Sequence, residues 1–255
     1  GAVQVLYGSA TGLTATGIRF ISQSTSGVPG ASDTNDHFGA TLTAGDFNRD
    51  GFDELVVGTP FEDFTSGLFN DNDAGAFTII PGSSSGVTGA GSSIRSPANV
   101  GFHVRGDDEY YGAGLAVGDI TLDGTDDLVV TGPGESLQSF FRGFVGSGLP
   151  AEDTATYLNS GLTLAVGDFN GDNVGDVALG SPEDSGKVLV LASNGGNSFL
   201  ADELSLQLFD TTVVAGDHFS ASMVTCDFDN DGVSDLAGGV PDKDDGAKTN
   251  TGAAS

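Results

Sequence analysis

The chain has 255 residues, with 8 Lys and Arg against 36 Asp and Glu, a formal net charge of −28, 41 Gly and one Cys. That acidity excludes nucleic acid and anionic membrane as partners, because a phosphate-binding face needs clustered Lys and Arg. A lone cysteine excludes an intramolecular disulfide, and no apolar run approaches the ~18 residues of a membrane helix, so membrane insertion is not expected. No sustained apolar period near 3.6 supports helices. The expected fold class is therefore all-β, in a single large domain rich in tight turns. The chain begins at Gly1 without a signal peptide, which reads as a processed or excised product.

Residues 1–8, Gly-Ala-Val-Gln-Val-Leu-Tyr-Gly, form the first expected strand. A pattern of short apolar run, nine-residue acidic loop and second apolar run then appears at 42–60 and returns at 115–133, 164–182 and 224–241, its first Asp falling at 46, 119, 168 and 227. Two strand-length runs joined by a turn-rich loop predict a β-hairpin. A Gly-led third strand is expected at 75–82, at 186–191 and, more weakly, at 142–145, with an outer fourth strand within 199–209. Four antiparallel strands make one blade of a β-propeller, so four repeats are read, at about 36–107, 108–157, 158–215 and 216–255. The last repeat shows no third strand of its own, so residues 1–35 are expected to complete it and close a four-bladed ring. The rival expectation is a part of a larger propeller. Residues 61–73 and 89–107 stand out as insertions, the first carrying Phe61, Phe64, Leu68 and Phe69; such a loop either packs over a blade edge or meets a partner.

Positions 1, 3, 5 and 9 of the four loops read Asp46, Asn48, Asp50, Glu54; Asp119, Thr121, Asp123, Asp127; Asp168, Asn170, Asp172, Asp176; and Asp227, Asp229, Asp231, Asp235. All are oxygen donors at alternate positions of a tight loop, the pattern by which Ca2+ gathers hard ligands. Position 7 is Phe52, Thr125, Val174 or Val233, which requires a backbone carbonyl there. Position 6 is Gly51, Gly124, Asn173 or Gly232, residue types that tolerate positive φ. Up to four Ca2+ ions are expected. Magnesium fits less well because it keeps its waters, and zinc because the loops lack His and Cys. The plainer alternative is a set of Asp-Gly turns with solvated charges, the acidity then reflecting a high-salt habitat.

The arrangement resembles the FG-GAP repeat of integrin α-subunit propellers and bacterial surface proteins, in which Phe-Gly opens the repeat and Gly-Ala-Pro closes it. Phe38-Gly39 with Gly58-Thr59-Pro60, Tyr111-Gly112 with Thr131-Gly132-Pro133, and Phe219-Ser220 with Gly239-Val240-Pro241 carry the resemblance. The third copy has Ser160-Gly161 and Gly180-Ser181-Pro182 and loses the aromatic. The resemblance implies an extracellular or cell-surface module for adhesion, ligand binding or assembly, with a protein or glycan partner. It departs from the family in number, since family rings usually have seven blades.

No catalytic set emerges, and the chain is not expected to be an enzyme. His37 and His218 recur in an Asp-His-Phe setting and read as structural; His103 has no partner that spacing identifies; and residues 112–118 lack the spacing of a phosphate-binding loop. Arg105-Gly106-Asp107 matches an integrin-recognition tripeptide, which three residues do often by chance. Cys226 is expected to be a buried, inert thiol on an inward strand. Two other functional expectations are a non-catalytic module of a larger secreted enzyme and a glycan-active propeller enzyme.

Overall fold

The computed structural model describes residues 1–66, 69–97, 108–132, 137–141, 153–156, 163–182, 187–193, 203–204, 216–244 and 249–254. Every regular element among them is a strand. The chain divides into two compact units, Gly1–Asp46 with Asp50–Ala113, and Phe47–Arg49 with Gly114–Ser255.

The first unit opens with β1 (Val3–Ser9) and β2 (Gly12–Ile21), an antiparallel pair. The first repeat follows as β3 (Thr41–Gly45), β4 (Glu54–Thr59), a small hairpin of β5 (Phe64–Ser66) and β6 (Phe69–Asp71), then β7 (Ala76–Ile80) and β8 (Ser93–Arg95). Strands β3-β4-β7-β8 make one antiparallel sheet in that order. The second unit holds β9 (Gly114–Gly118), β10 (Asp127–Gly132), β11 (Leu137–Phe141) and β12 (Asp153–Thr156); β13 (Thr163–Gly167), β14 (Asp176–Ser181), β15 (Lys187–Leu191) and β16 (Glu203–Leu204); and β17 (Met223–Cys226), β18 (Asp235–Val240) and β19 (Ala253–Ala254). These form three further antiparallel sheets with neighbours paired in chain order.

The all-β class and the four acidic hairpins are as the sequence predicts, and four details differ. The third strand of the second repeat is Leu137–Phe141, upstream of the expected 142–145, which lies outside the described residues. The fourth strand of the first repeat, Ser93–Arg95, falls inside what reads as an insertion. The fourth repeat has its own third strand, the two-residue β19 on β18, and β1 pairs with a further strand, β2, that the sequence does not announce. The reason is local, because a two-residue turn brings β2 straight back onto β1, and Val3 and Ile21 pack with Phe38, Val57 and Ile80 of the first repeat.

The cores follow the period of two that a strand imposes. In β14, Val177 and Leu179 pack with Ile120, Val129 and Leu191. Ala178, between them, faces the other way, toward Val188, Val190, Phe219 and Val240. The sheet that holds β14 thus presents two apolar faces, each packed against side chains of a neighbouring repeat. Phe38 and Phe219, the opening aromatics of their repeats, are both buried in such layers. Where repeats meet, backbones pass closely: Thr41 Oγ1 donates to Gly112 O at 2.6 Å, and a Cβ on Gly58 would stand 2.3 Å from that same oxygen. Thr163 Oγ1 makes the matching bond to Ser220 O at 2.6 Å.

The same alternation overturns the expectation for Cys226. Thr225 turns inward and donates to Val166 O at 2.8 Å, and Met223 packs on the core, so Val224 and Cys226 face out and the thiol is exposed. Phe61, in the first insertion, packs edge-on against His37 and Tyr110, with ring centroids 4.6 and 5.2 Å away. Leu68, His103 and residues 105–107 lie outside the described residues.

Candidate metal centres

The four acidic loops close by one hydrogen-bond scheme. The position-1 carboxylate accepts from the amides of positions 5 and 6: Asp46 from Asp50 (3.2 Å) and Gly51 (3.0 Å), Asp119 from Asp123 (3.1 Å) and Gly124 (2.8 Å), Asp168 from Asp172 (3.1 Å) and Asn173 (2.7 Å), Asp227 from Asp231 (3.0 Å) and Gly232 (2.9 Å). The position-5 carboxylate accepts from the amide of position 7: Asp50 from Phe52, Asp123 from Thr125, Asp172 from Val174 and Asp231 from Val233, at 2.8–2.9 Å. Asp does this because its short side chain reaches backbone amides a few residues ahead. Position 6 has positive φ throughout: Gly51 at 86°, Gly124 at 75°, Asn173 at 67° and Gly232 at 91°.

In the second, third and fourth loops, position 9 anchors the loop to the sheet. Asp127 Oδ2 accepts from the amides of Ile120 (2.9 Å) and Thr121 (3.0 Å) and from Thr121 Oγ1 (3.1 Å). Asp176 accepts from the amides of Phe169 (3.0 Å) and Ser193 (2.9 Å), and from Asn170 Nδ2 at 3.5 Å; Asp235 accepts from Phe228 at 2.8 Å. Glu54, Asp127 and Asp176 are buried, at 4%, 0% and 1% exposure. Burial holds the Asp176 carboxyl above its ordinary range, against the pull of the Ser193 and Phe169 amides, with Asp172 and Asp168 adding to the rise.

Two features escape a reading of the sequence alone. Position 4 is also left-handed, with Arg49 at 56°, Leu122 at 55°, Gly171 at 79° and Asn230 at 62°; Gly and Asn signal this, whereas Arg and Leu give no sign of it. Position 2, occupied by Ile120, Phe169 or Phe228, supplies the amide that holds position 9, a role that no side chain betrays.

The fourth loop brings three carboxylates together: Asp227, Asp229 and Asp235 present oxygens within 4.8 Å of one another. Oxygens on opposite sides of a Ca2+ ion, each at about 2.4 Å, are about 4.8 Å apart, so these three can share one ion. In the other loops position 3 is neutral Asn48, Thr121 or Asn170, so the trio of acids at 1, 3 and 9 is peculiar to the fourth. In the third, Asn170 turns its nitrogen toward Asp176 and its oxygen to the Asp172 amide at 2.9 Å. An all-oxygen, multiply anionic donor set suits a hard divalent cation.

A model of the FG-GAP repeat matches residues 38–80 and 160–191, which hold the first and third acidic hairpins. The chain belongs to the FG-GAP repeat family. The second and fourth FG-GAP hairpins share the hydrogen-bond scheme of the matched pair, and the third matches despite lacking the opening aromatic. Phosphatidylinositol-glycan-specific phospholipase D of Homo sapiens is 31% identical over 204 residues, 71% of this chain and 24% of that protein. The Bos taurus protein of the same name is 28% identical over 186 residues, 65% and 21% of the two chains. Integrin alpha-E of Mus musculus is 30% identical over 159 residues, 52% and 14%. The FG-GAP chain thus spans about a quarter or less of these relatives' length.

Proposed function

We propose that the chain is an extracellular, calcium-binding FG-GAP module whose sheets act as propeller blades, and which serves adhesion, ligand binding or assembly. The convergence of Asp227, Asp229 and Asp235 carries the calcium reading. The shared loop scheme extends it to the other three hairpins, with side chains at positions 1, 3, 5 and 9 and the carbonyl of position 7 as ligands. Bound ions would neutralise clustered carboxylates and hold the hairpins rigid, stabilising the folded state by mass action. Strands β1 and β2 stand as the outer pair of a blade: Ser9 Oγ to Gly12 O and Ser83 Oγ to Gly86 O are both 2.7 Å, in turns that share the pattern Gly-Ser-x-x-Gly-x-Thr. Loops on this scaffold would meet a protein or glycan.

A second reading, a non-catalytic module of a larger secreted enzyme, is favoured by the match to a phospholipase over a quarter of its length. Thermal unfolding in calcium, in magnesium and after chelation tests the first reading: stabilisation by calcium well beyond magnesium supports it, and no shift at low salt overturns it. Turnover of phosphatidylinositol-glycan or polysaccharide by the purified chain would overturn the non-catalytic assignment in both.

A further inference from the structure

The turn after β4 and the turn after β18 are built alike but differ in the sign of one charge. After β18, the Asp242 amide donates to Asp217 O (3.2 Å) and the Lys243 amide to Val240 O (3.3 Å). After β4, the Phe61 amide donates to Asp36 O (3.4 Å) and the Glu62 amide to Thr59 O (3.2 Å). Asp217 and Asp36 are therefore equivalent, both buried, and Lys243 and Glu62 are equivalent as well. In the fourth repeat, Lys243 Nζ lies 3.3 Å from Asp217 Oδ2 and the buried carboxylate has its counter-charge. In the first, the same place holds a second acid, Glu62, 4% exposed.

The segment that follows β2 wraps this carboxyl. Gln23 Nε2 donates to Glu62 Oε2. A Cβ on Gly30 would stand 3.2 Å from Glu62 Oε1 and 3.4 Å from Gln23 Nε2, so the backbone passes directly over the pair. Asp36 Oδ2 accepts from the Asp33 amide at 2.6 Å, which curls the end of the segment against the same turn. Among the described residues, the charged groups facing Glu62 are Asp33 and Asp36 from this segment and Asp63 from its own turn, all acidic; His37 turns its ring away onto Phe61. Two neighbouring buried carboxyls resist ionising together.

We propose that Glu62 is the proton-operated latch of residues 22–36: with its carboxyl protonated the segment lies closed on the first repeat, and ionisation beside Asp33, Asp36 and Asp63 loosens it. Burial is the largest reason that the carboxyl is raised, with Asp36, Asp33 and Asp63 adding to the rise and the Gln23 bond opposing it, from 4.5 to about 7. The folded chain then binds this proton more tightly than the unfolded chain does. The stabilisation is complete below pH 4.5, falls as the pH rises to about 7 and is absent above it. The latch is independent of the metal reading, since Glu62 belongs to none of the four loops.

The test uses the whole chain in saturating calcium, so that the loops do not titrate. Carbon-13 NMR of labelled Glu carboxyls should show one resonance titrating near pH 7 that Glu62→Gln removes. Between pH 5 and 8, amide exchange in residues 22–36, corrected for its intrinsic pH dependence, should rise by up to about 70-fold, the part of the roughly 300-fold represented by 2.5 pH units that falls in this window. Glu62→Gln should abolish this rise, and Glu62→Lys, recreating the Lys243–Asp217 pair against Asp36, should protect the segment at pH 8. A Glu62 resonance titrating near 4.5, or pH-independent exchange of the segment in the unmodified chain, would overturn the proposal even if neither variant folds.

Discussion

Removal of Asp229 separates a metal contribution from the hydrogen bonds of its loop. The side chain is exposed and accepts one bond, 3.2 Å, from the Asp231 amide, which also donates to Asp227 at 3.0 Å. Asp229→Ala therefore leaves that amide satisfied, and in a chelator it should cost no more than the roughly 0.5 kcal/mol typical of surface substitutions. In calcium the same change removes one of three converging carboxylates. An ion held at a hundred times its Kd stabilises by about 2.7 kcal/mol, and about 1 kcal/mol moves the midpoint of a domain of this size by about 2–4 °C. Calorimetry should thus find Asp229→Ala within about 2 °C of the unmodified chain in chelator and about 5–10 °C below it in calcium. Asp127→Ala is the contrasting case, because its buried carboxylate holds the Ile120 and Thr121 amides, each costing about 1–3 kcal/mol when orphaned. It should be destabilising in both media. An Asp229→Ala deficit of equal size with and without calcium would refute the assignment of that loop to an ion.

Leu122→Gly should stabilise the chain by about 0.5–1 kcal/mol, since relief of a left-handed non-glycine residue at φ 55° exceeds the entropy that glycine adds to the unfolded chain; chemical denaturation checks it, and a loss of stability would show that the leucine side chain matters more than its backbone. Gly58→Ala should cost more than about 2 kcal/mol, because the new methyl would stand 2.0 Å from Thr41 Oγ1 and 2.3 Å from Gly112 O; the same denaturation series measures it, and Thr41→Ala, which clears only the first clash, should not restore the loss. Calcium binding should release protons and weaken as the pH falls toward the ordinary Asp value of 3.8, because the metal-free Asp176 carboxyl holds its proton above that range and metal must displace it. Without metal the sign is opposite, stability being lost as the pH rises through the folded value. Titration calorimetry in buffers of differing ionisation enthalpy reads the proton count, and a count that Asp176→Asn leaves unchanged would reject the attribution.

The parts of this protein legible in its sequence are those whose cause is local. Alternating apolar runs place the four acidic hairpins, and Asp at positions 1 and 5 closes each loop onto amides at most five residues away. Even Asn173 declares its left-handed turn, because the conformation depends on that residue's own side chain. Tertiary structure decided whatever depends on which partner a strand or side chain meets. Strand β2 goes unannounced in the sequence, and a two-residue turn sets it on β1. Cys226 sits in an apolar run, but packing of Met223 and Thr225 chose the inward face and left the thiol outside. The Ser193 amide reaches Asp176 across the sheet, and Glu62 meets Asp36 and Gln23 only because two turns and a connector converge on one buried spot. A one-dimensional pattern carries the periods of strands and the chemistry of turns, whereas the environment of a buried charge is set by residues that are distant along the chain.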